Sequence, residues 1–166
     1  QDHKSAFDGD KGPNTGGMGA YSPTSIVDAT LQNEIMEKII RPTLNGLVME
    51  ETPYCGVLFA GLMITAQGPK LIEYNCRFGD PECQTILMRL ESDILEMLVA
   101  TAQGKIKELK LKWSDNSAIT IILASKGYPG DYKTGSIIAG LDKASAIDGV
   151  NIFHSGTLRK NDVIVA

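Results

Sequence analysis

The sequence is short of the features that mark several common protein classes. Its 166 residues hold no apolar run of membrane-spanning length, so no transmembrane helix is expected. The opening residues lack the pattern of a secretory signal peptide. No basic stretch is long enough to follow a nucleic-acid backbone, and the net charge is −4. Cysteine is scarce. Cys55, Cys76 and Cys83 are odd in number and lack metal-ligand spacing, which implies reduced thiols and a cytoplasmic location. No internal repeat is visible. The chain opens at Gln1 without an initiator methionine and stops at "VIVA" within a strand pattern, so both ends are expected to be cuts through a larger protein. What is present is a 43% hydrophobic chain, enough for one ordinary domain or one and a half.

The richest stretch is "PKLIEYNCRFGDPE", Pro69 to Glu82. It reads as a strand running through a glycine turn into a helix that opens at Pro81. Side chains alternate across a strand, so Leu71, Glu73, Asn75 and Arg77 are expected on one face. Ile72, Tyr74 and Cys76 are expected on the other, in the core, with Cys76 as a small buried hydrophobe. A carboxylate, an amide oxygen and a guanidinium then stand in a row, about 6.6 Å apart from one to the next. The first two are hard oxygen donors suited to Mg²⁺, which keeps its waters and shares phosphate oxygens, so one or two protein ligands suffice. Arg77 can hold a phosphate or carboxylate beside the cation. The competing reading is the solvated face of an antiparallel sheet. The preceding strand, "GVLFAGLMIT", is apolar on both faces and argues for a covered hairpin instead. Phe78-Gly79-Asp80-Pro81-Glu82 opens a helix where an anion site is physically natural.

The opening segment, "QDHKSAFDGDKGPNTGGMGAYSP", is glycine-rich without an apolar period and reads as a loop. Gly12, Gly16, Gly17 and Gly19 surround Asn14 and Thr15, and glycine lets backbone N–H groups approach phosphate or carboxylate oxygens. The spacing matches neither the P-loop nor the dinucleotide fingerprint, and a structural turn suits these residues as well as a ligand cradle.

Asp28 is placed to cap a helix over roughly Ala29 to Glu50, with Leu31, Ile35, Met36, Ile39, Ile40, Leu44 and Leu47 on its apolar stripe and a kink one turn before Pro42. A second helix is expected over Glu82 to Ala102, with Gly104 as its C-cap. A lysine-rich stretch, Lys105 to Ser114, marks a boundary. Beyond it "SAITIILASKGYPGDYKTG" reads as a buried strand and a turn, and "VNIFHSGTLRKNDVIVA" as two short strands. The expected division is residues 1–106 and 107–166, in an α+β architecture.

"GPNTGGMGAYSP", "GVLFAGLMIT", "LIEYNCRFGDPE" and "ASKGYPGDY" together resemble the glycinamide ribonucleotide synthetase family of ATP-grasp enzymes, in motif order and spacing from Gln1 to Ala166. The resemblance implies an ATP-grasp catalytic subdomain, an antiparallel sheet with packed helices, followed by the start of a small β-rich C-terminal domain. It implies ATP, glycine and 5-phosphoribosylamine as substrates. Glycine is joined to the amine through a glycyl phosphate in purine synthesis. The family's Mg²⁺ or Mn²⁺ ligands fall on Glu73 and Asn75. Arg77 and Asp80 take catalytic positions, with Arg77 serving the transferring phosphoryl group or the glycine carboxylate. Asp2, Lys4, Asn14, Thr15, Gly16, Gly17 and Gly19 line the substrate side, with Asp80 close to them.

Departures accompany the resemblance. The family's amine-substrate domain and its ATP-clamping lobe precede "QDHK" and have no counterpart here, so these 166 residues alone are expected to be inactive. Tyr74 stands where phenylalanine is more usual. Two other readings fit the residues less fully: a different ATP-grasp carboxylate–amine ligase, discriminated by a substrate panel, and a non-catalytic nucleotide-binding module, discriminated by tight binding of Mg–ATP.

Overall fold

Strands β3 (Phe59–Thr65) and β4 (Gly68–Asn75) form an antiparallel hairpin, and the two helices before it pack on one of its faces. The computed structural model covers residues 1–166. Its other strands are β1 (Asp2–Phe7), β2 (Lys11–Ser22), β5 (Ala118–Ile121), β6 (Leu158–Lys160) and β7 (Val163–Val165). The helices are α1 (Ala29–Ile35), α2 (Arg41–Met49), α3 (Glu82–Leu87), α4 (Ile94–Ala102) and α5 (Leu141–Ser145). Strands β1, β2 and β5 form one sheet in the order β1-β2-β5, and β6 pairs with β7. This is the expected α+β composition. The chain divides into two compact units, one of Gln1–Asp2 with Gly19–Thr120 and one of His3–Met18 with Ile121–Ala166.

In the first unit, Asp28 caps α1 as expected, its Oδ1 accepting from the Leu31 N–H at 2.8 Å. The helical path runs on to Met49, but Met36–Ile40 is a single π-helical stretch. Pro42 has no N–H to donate one turn back, so the chain widens by one residue just before it, where the kink was expected. Leu31, Ile35, Ile39, Ile40, Leu44 and Leu47 are half-buried. Met36, expected on the same stripe, is exposed instead. The Tyr74 hydroxyl lies 2.8 Å from Thr43 Oγ1 and donates to the Ile39 carbonyl at 3.2 Å, tying β4 to the helices.

The single helix expected over Glu82 to Ala102 is two. Residues 89–92 leave the helical path because a distant segment captures their polar groups: the Glu91 N–H donates to the Lys112 carbonyl, the Ser114 N–H to the Arg89 carbonyl, and the Lys112 N–H to Ser92 Oγ. Asp93 restarts the helix by accepting from the Leu95 N–H at 2.7 Å. At the far end Gly104 sits at φ +70° beyond α4, its N–H bonding to the Thr101 carbonyl while the Lys105 N–H bonds to that of Ala100. That is the Schellman ending the glycine foretold. The tightest packing in this unit surrounds Ala20, Pro81 and Thr85.

Two expectations of burial fail. Strand β5 turns Ala118 and Thr120 to half-buried positions while Ile119 and Ile121 stand 71% and 70% exposed, because one face alone is covered. The β3–β4 hairpin is likewise open on one side, with Met63 exposed. In the second unit the two short strands expected near the end form the β6–β7 hairpin, turned at Asn161 with φ 51°. The opening segment is a β-hairpin and not a loop. Its strands lack an apolar period because backbone pairing, not side-chain burial, holds much of them.

Candidate functional site

The register of the central hairpin decides which side chains share a face. Phe59 lies opposite Asn75, Ala60 opposite Tyr74 and Gly61 opposite Glu73, but Leu62 lies opposite Leu71. Ile72 is therefore an extra residue, a β-bulge, and the alternation changes phase there. Directly opposed residues project to the same side, so Phe59, Gly61, Met63, Lys70, Glu73 and Asn75 share one face. Leu71 falls on the opposite face with Leu62 and Tyr74 and stays exposed there. The expected row thus shortens to Glu73 and Asn75. Ile72, at the bulge, is 62% exposed instead of buried, and Cys76 is exposed beyond the strand end. Lys70 joins the Glu73 face through the bulge, three residues away, a spacing that strict alternation would reject.

Arg77 lies past the end of β4 and is exposed, and its Nη1 donates to the neighbouring Phe78 carbonyl at 2.7 Å. Asp80 opens the next turn, where its Oδ1 accepts from Gln84 Nε2 at 2.8 Å. Burial, and second the Asp80 carboxylate, push the Cys83 thiol above its ordinary range. Glu82 was not singled out from the sequence. A Cβ at buried Gly79 would stand 2.7 Å from the Glu82 carboxyl carbon and 2.8 Å from the ring of Phe59, the residue opposite Asn75. The signal was the glycine, which keeps that gap open.

The remaining expected residues divide between the units. Asp2 and Gly19 belong to the first, and Lys4, Asn14, Thr15, Gly16 and Gly17 to the second. In the second unit Thr15 Oγ1 donates to the Lys4 carbonyl at 2.8 Å and accepts from the Gly17 N–H at 3.1 Å. The Gly17 N–H is thereby spent within the hairpin. Gly16 sits beside Tyr128, whose hydroxyl would be 3.8 Å from a Cβ there, and Tyr128 meets Tyr132 edge-on at 6.1 Å. An open hollow of about 530 Å³ beside α4, lined by Leu95, Val99, Lys105 and Leu109, contains none of the expected site residues.

The Glu73 face has the donor chemistry of a divalent-cation site. It offers a carboxylate and an amide oxygen, and no group of three or more His, Cys, Asp or Glu side chains is gathered anywhere to make an all-protein cage. Two hard donors on an open face match a cation that completes its shell with water and phosphate oxygens. The residues fit.

Comparison with known proteins agrees in class. Residues 1–83 match the family model described as phosphoribosylglycinamide synthetase, ATP-grasp (A) domain, and residues 118–166 match that family's C domain. The crystal structure of a phosphoribosylamine–glycine ligase from Thermotoga maritima superposes with a TM-score of 0.82 at 30% identity, over 99% of this chain and 40% of that one. These matches define an α+β protein of ATP-grasp type. Among curated relatives, a phosphoribosylamine–glycine ligase of Brucella melitensis is 51% identical over 166 residues, all of this chain and 39% of its own length. A chloroplastic one from Arabidopsis thaliana is 53% identical over 160 residues, 95% of this chain and 30% of its own. The chain belongs to the phosphoribosylglycinamide synthetase family. It spans well under half the length of these two relatives.

Proposed function

We propose that the protein to which these residues belong is an ATP-dependent ligase that joins glycine to 5-phosphoribosylamine. ADP and phosphate are the other products, and the step serves purine synthesis. The observation that carries this reading is the pair Glu73 and Asn75, side by side on the open face of β4. The names of the relatives support the choice of substrates. We assign Glu73 and Asn75 as the residues that hold Mg²⁺ or Mn²⁺. When bound there, the cation would supply charge neutralisation to the phosphate groups.

The chain's own residues supply positioning and charge. Arg77 has a planar fork of donors suited to a phosphoryl group or to the glycine carboxylate. Asp80 closes the turn that follows and holds Gln84. Asp2, Lys4, Asn14, Thr15, Gly16, Gly17 and Gly19 keep the substrate-binding role implied by their motif. Glycine's carboxylate accepts the γ-phosphoryl group of ATP. The amine of phosphoribosylamine attacks the acyl carbon, and phosphate leaves. No covalent enzyme intermediate is required, so catalysis is orientation and electrostatic stabilisation.

Residues 1–106 are assigned to the ATP-grasp part and 107–166 to the start of the C-terminal domain, supported by the two family models. No helix is long and apolar enough to cross a membrane. The cytoplasm is the proposed compartment, supported by three free cysteines. One plant relative is described as chloroplastic. We assign activity to the protein at the full length of its relatives and none to these 166 residues alone. The test is Glu73→Gln at full length with folding preserved. ATP-dependent phosphate release in the presence of both substrates should be abolished, and normal turnover would remove the metal assignment.

A further inference from the structure

Gly61 breaks the pattern of an otherwise apolar strand, and its backbone does not explain why. Ten glycines of this chain lie at positive φ, where glycine is favoured on conformational grounds. Gly61 is not among them. The reason is steric and specific: a Cβ at position 61 would stand 2.9 Å from Glu73 Cγ and 3.6 Å from Glu73 Oε1. Glycine within a strand marks a place where something must come close. Here that something is the side chain of the residue opposite.

The second irregularity of the hairpin falls beside the same rung. The register shift lies between Gly61 and Leu62, and the extra residue, Ile72, immediately precedes Glu73. A bulge bends its strand and re-aims the side chains next to it. One irregularity turns the strand at Glu73, and the other clears the ground its side chain crosses. Neither is needed to make a hairpin, since the pairing from Thr65–Gly68 to Leu62–Leu71 is regular without them.

We propose that Gly61, together with the bulge at Ile72, is a positioning device for the Glu73 carboxylate. Its work is to lay that carboxylate over β3 so that its oxygens and the Asn75 amide oxygen serve one divalent cation. This rests on the reading of Glu73 and Asn75 as metal-holding residues. A methyl group at position 61 would displace Glu73 at Cγ, two bonds from the ligand oxygens, and would carry the carboxylate away from its amide neighbour. The effect is local, because the contact is with one side chain.

The test uses the 166-residue chain and Mn²⁺ alone, with free Mn²⁺ followed by electron paramagnetic resonance and folding by circular dichroism. The expected result is a loss of about tenfold or more in Mn²⁺ affinity for Gly61→Ala, as ligand-supporting changes cost 10–100-fold. Gly46→Ala should bind as the parent does, since nothing lies within 4 Å of a Cβ there. In a double-mutant cycle, Gly61→Ala combined with Glu73→Ala should bind no worse than Glu73→Ala by itself. Unchanged affinity in a folded Gly61→Ala chain overturns the positioning role and leaves the metal assignment standing. No Mn²⁺ binding by the parent chain overturns this inference, since a positioned pair should hold the cation without phosphate, whereas the metal assignment is decided separately by Glu73→Gln at full length with ATP present. If Gly61→Ala does not fold, the double variant decides: recovery of the fold supports the contact, and failure to recover overturns it.

Discussion

Thr85 Oγ1 and Thr120 Oγ1 are hydrogen-bonded at 2.8 Å, joining helix α3 to strand β5 through a hydroxyl pair. Thr85 is 1% exposed, and its oxygen also lies 3.3 Å from the Ala20 carbonyl and 3.4 Å from that of Pro81. One buried side chain thus bonds to β2, to β5 and to the turn that follows Asp80. Thr85→Val keeps the shape and removes the hydroxyl, leaving the Thr120 hydroxyl without this partner. The expected loss is about 1–3 kcal/mol of stability. Urea denaturation measures it.

Arg89 is a second tie in the same unit. Its Nε donates to the Asn116 carbonyl at 2.9 Å, Nη1 to Ser22 Oγ at 2.8 Å and Nη2 to the Ser114 carbonyl at 2.9 Å. A lysine keeps the charge but cannot reproduce a planar fork with three directed donors. Arg89→Lys should cost about 2 kcal/mol, the worth of one hydrogen bond to a charged group. Thermal unfolding should shift down, and amides near Ser114 and Asn116 should exchange faster.

Tyr74→Phe removes a hydroxyl bonded to Thr43 and the Ile39 carbonyl. Thr43 Oγ1 keeps its own bond to the Ile39 carbonyl at 2.9 Å, so no acceptor is stranded. The change should cost about 0.5–1.5 kcal/mol in urea denaturation. It should leave Mn²⁺ affinity unaltered, because Tyr74 and Glu73 face opposite ways.

The cysteines should separate by reactivity. Cys55 and Cys76 are exposed, whereas Cys83 is half-buried with its thiol pushed up by burial and, second, by the Asp80 carboxylate. At pH 8, iodoacetamide followed by mass spectrometry should label Cys83 last. Asp80→Asn removes a negative charge, which favours the thiolate and lowers the Cys83 pKa. Labelling should quicken yet stay behind Cys76, since burial is the larger cause. A raised pKa means that the folded chain holds this proton after the unfolded chain has lost it. The associated stability is therefore full at neutral pH and declines as pH climbs through the thiol range.

What local chemistry dictates was legible in the residues. Asp28 and Gly104 mark the helix ends they were expected to mark, because a cap is satisfied within three or four residues of itself. Glu73 and Asn75 share a face because they stand two positions apart on β4, with only Tyr74 and no bulge between. Leu71 and Arg77 were lost from that row for different reasons. A single extra residue at Ile72 inverts the phase behind it, and the strand ends before Arg77. No composition rule registers either event.

By itself, then, the sequence determined the family, the helix caps and the carboxylate–amide pair. Each is written in neighbouring residues or in motifs read directly from the chain. The tertiary structure decided what depends on partners distant in sequence. Residues 112–114 break the second helix by taking the polar groups of residues 89–92. Backbone pairing makes the glycine-rich opening a hairpin. The register against β3 places Gly61 under Glu73. Hydrogen bonds are short in space and indifferent to sequence separation, so register and capture are settled only when distant segments meet.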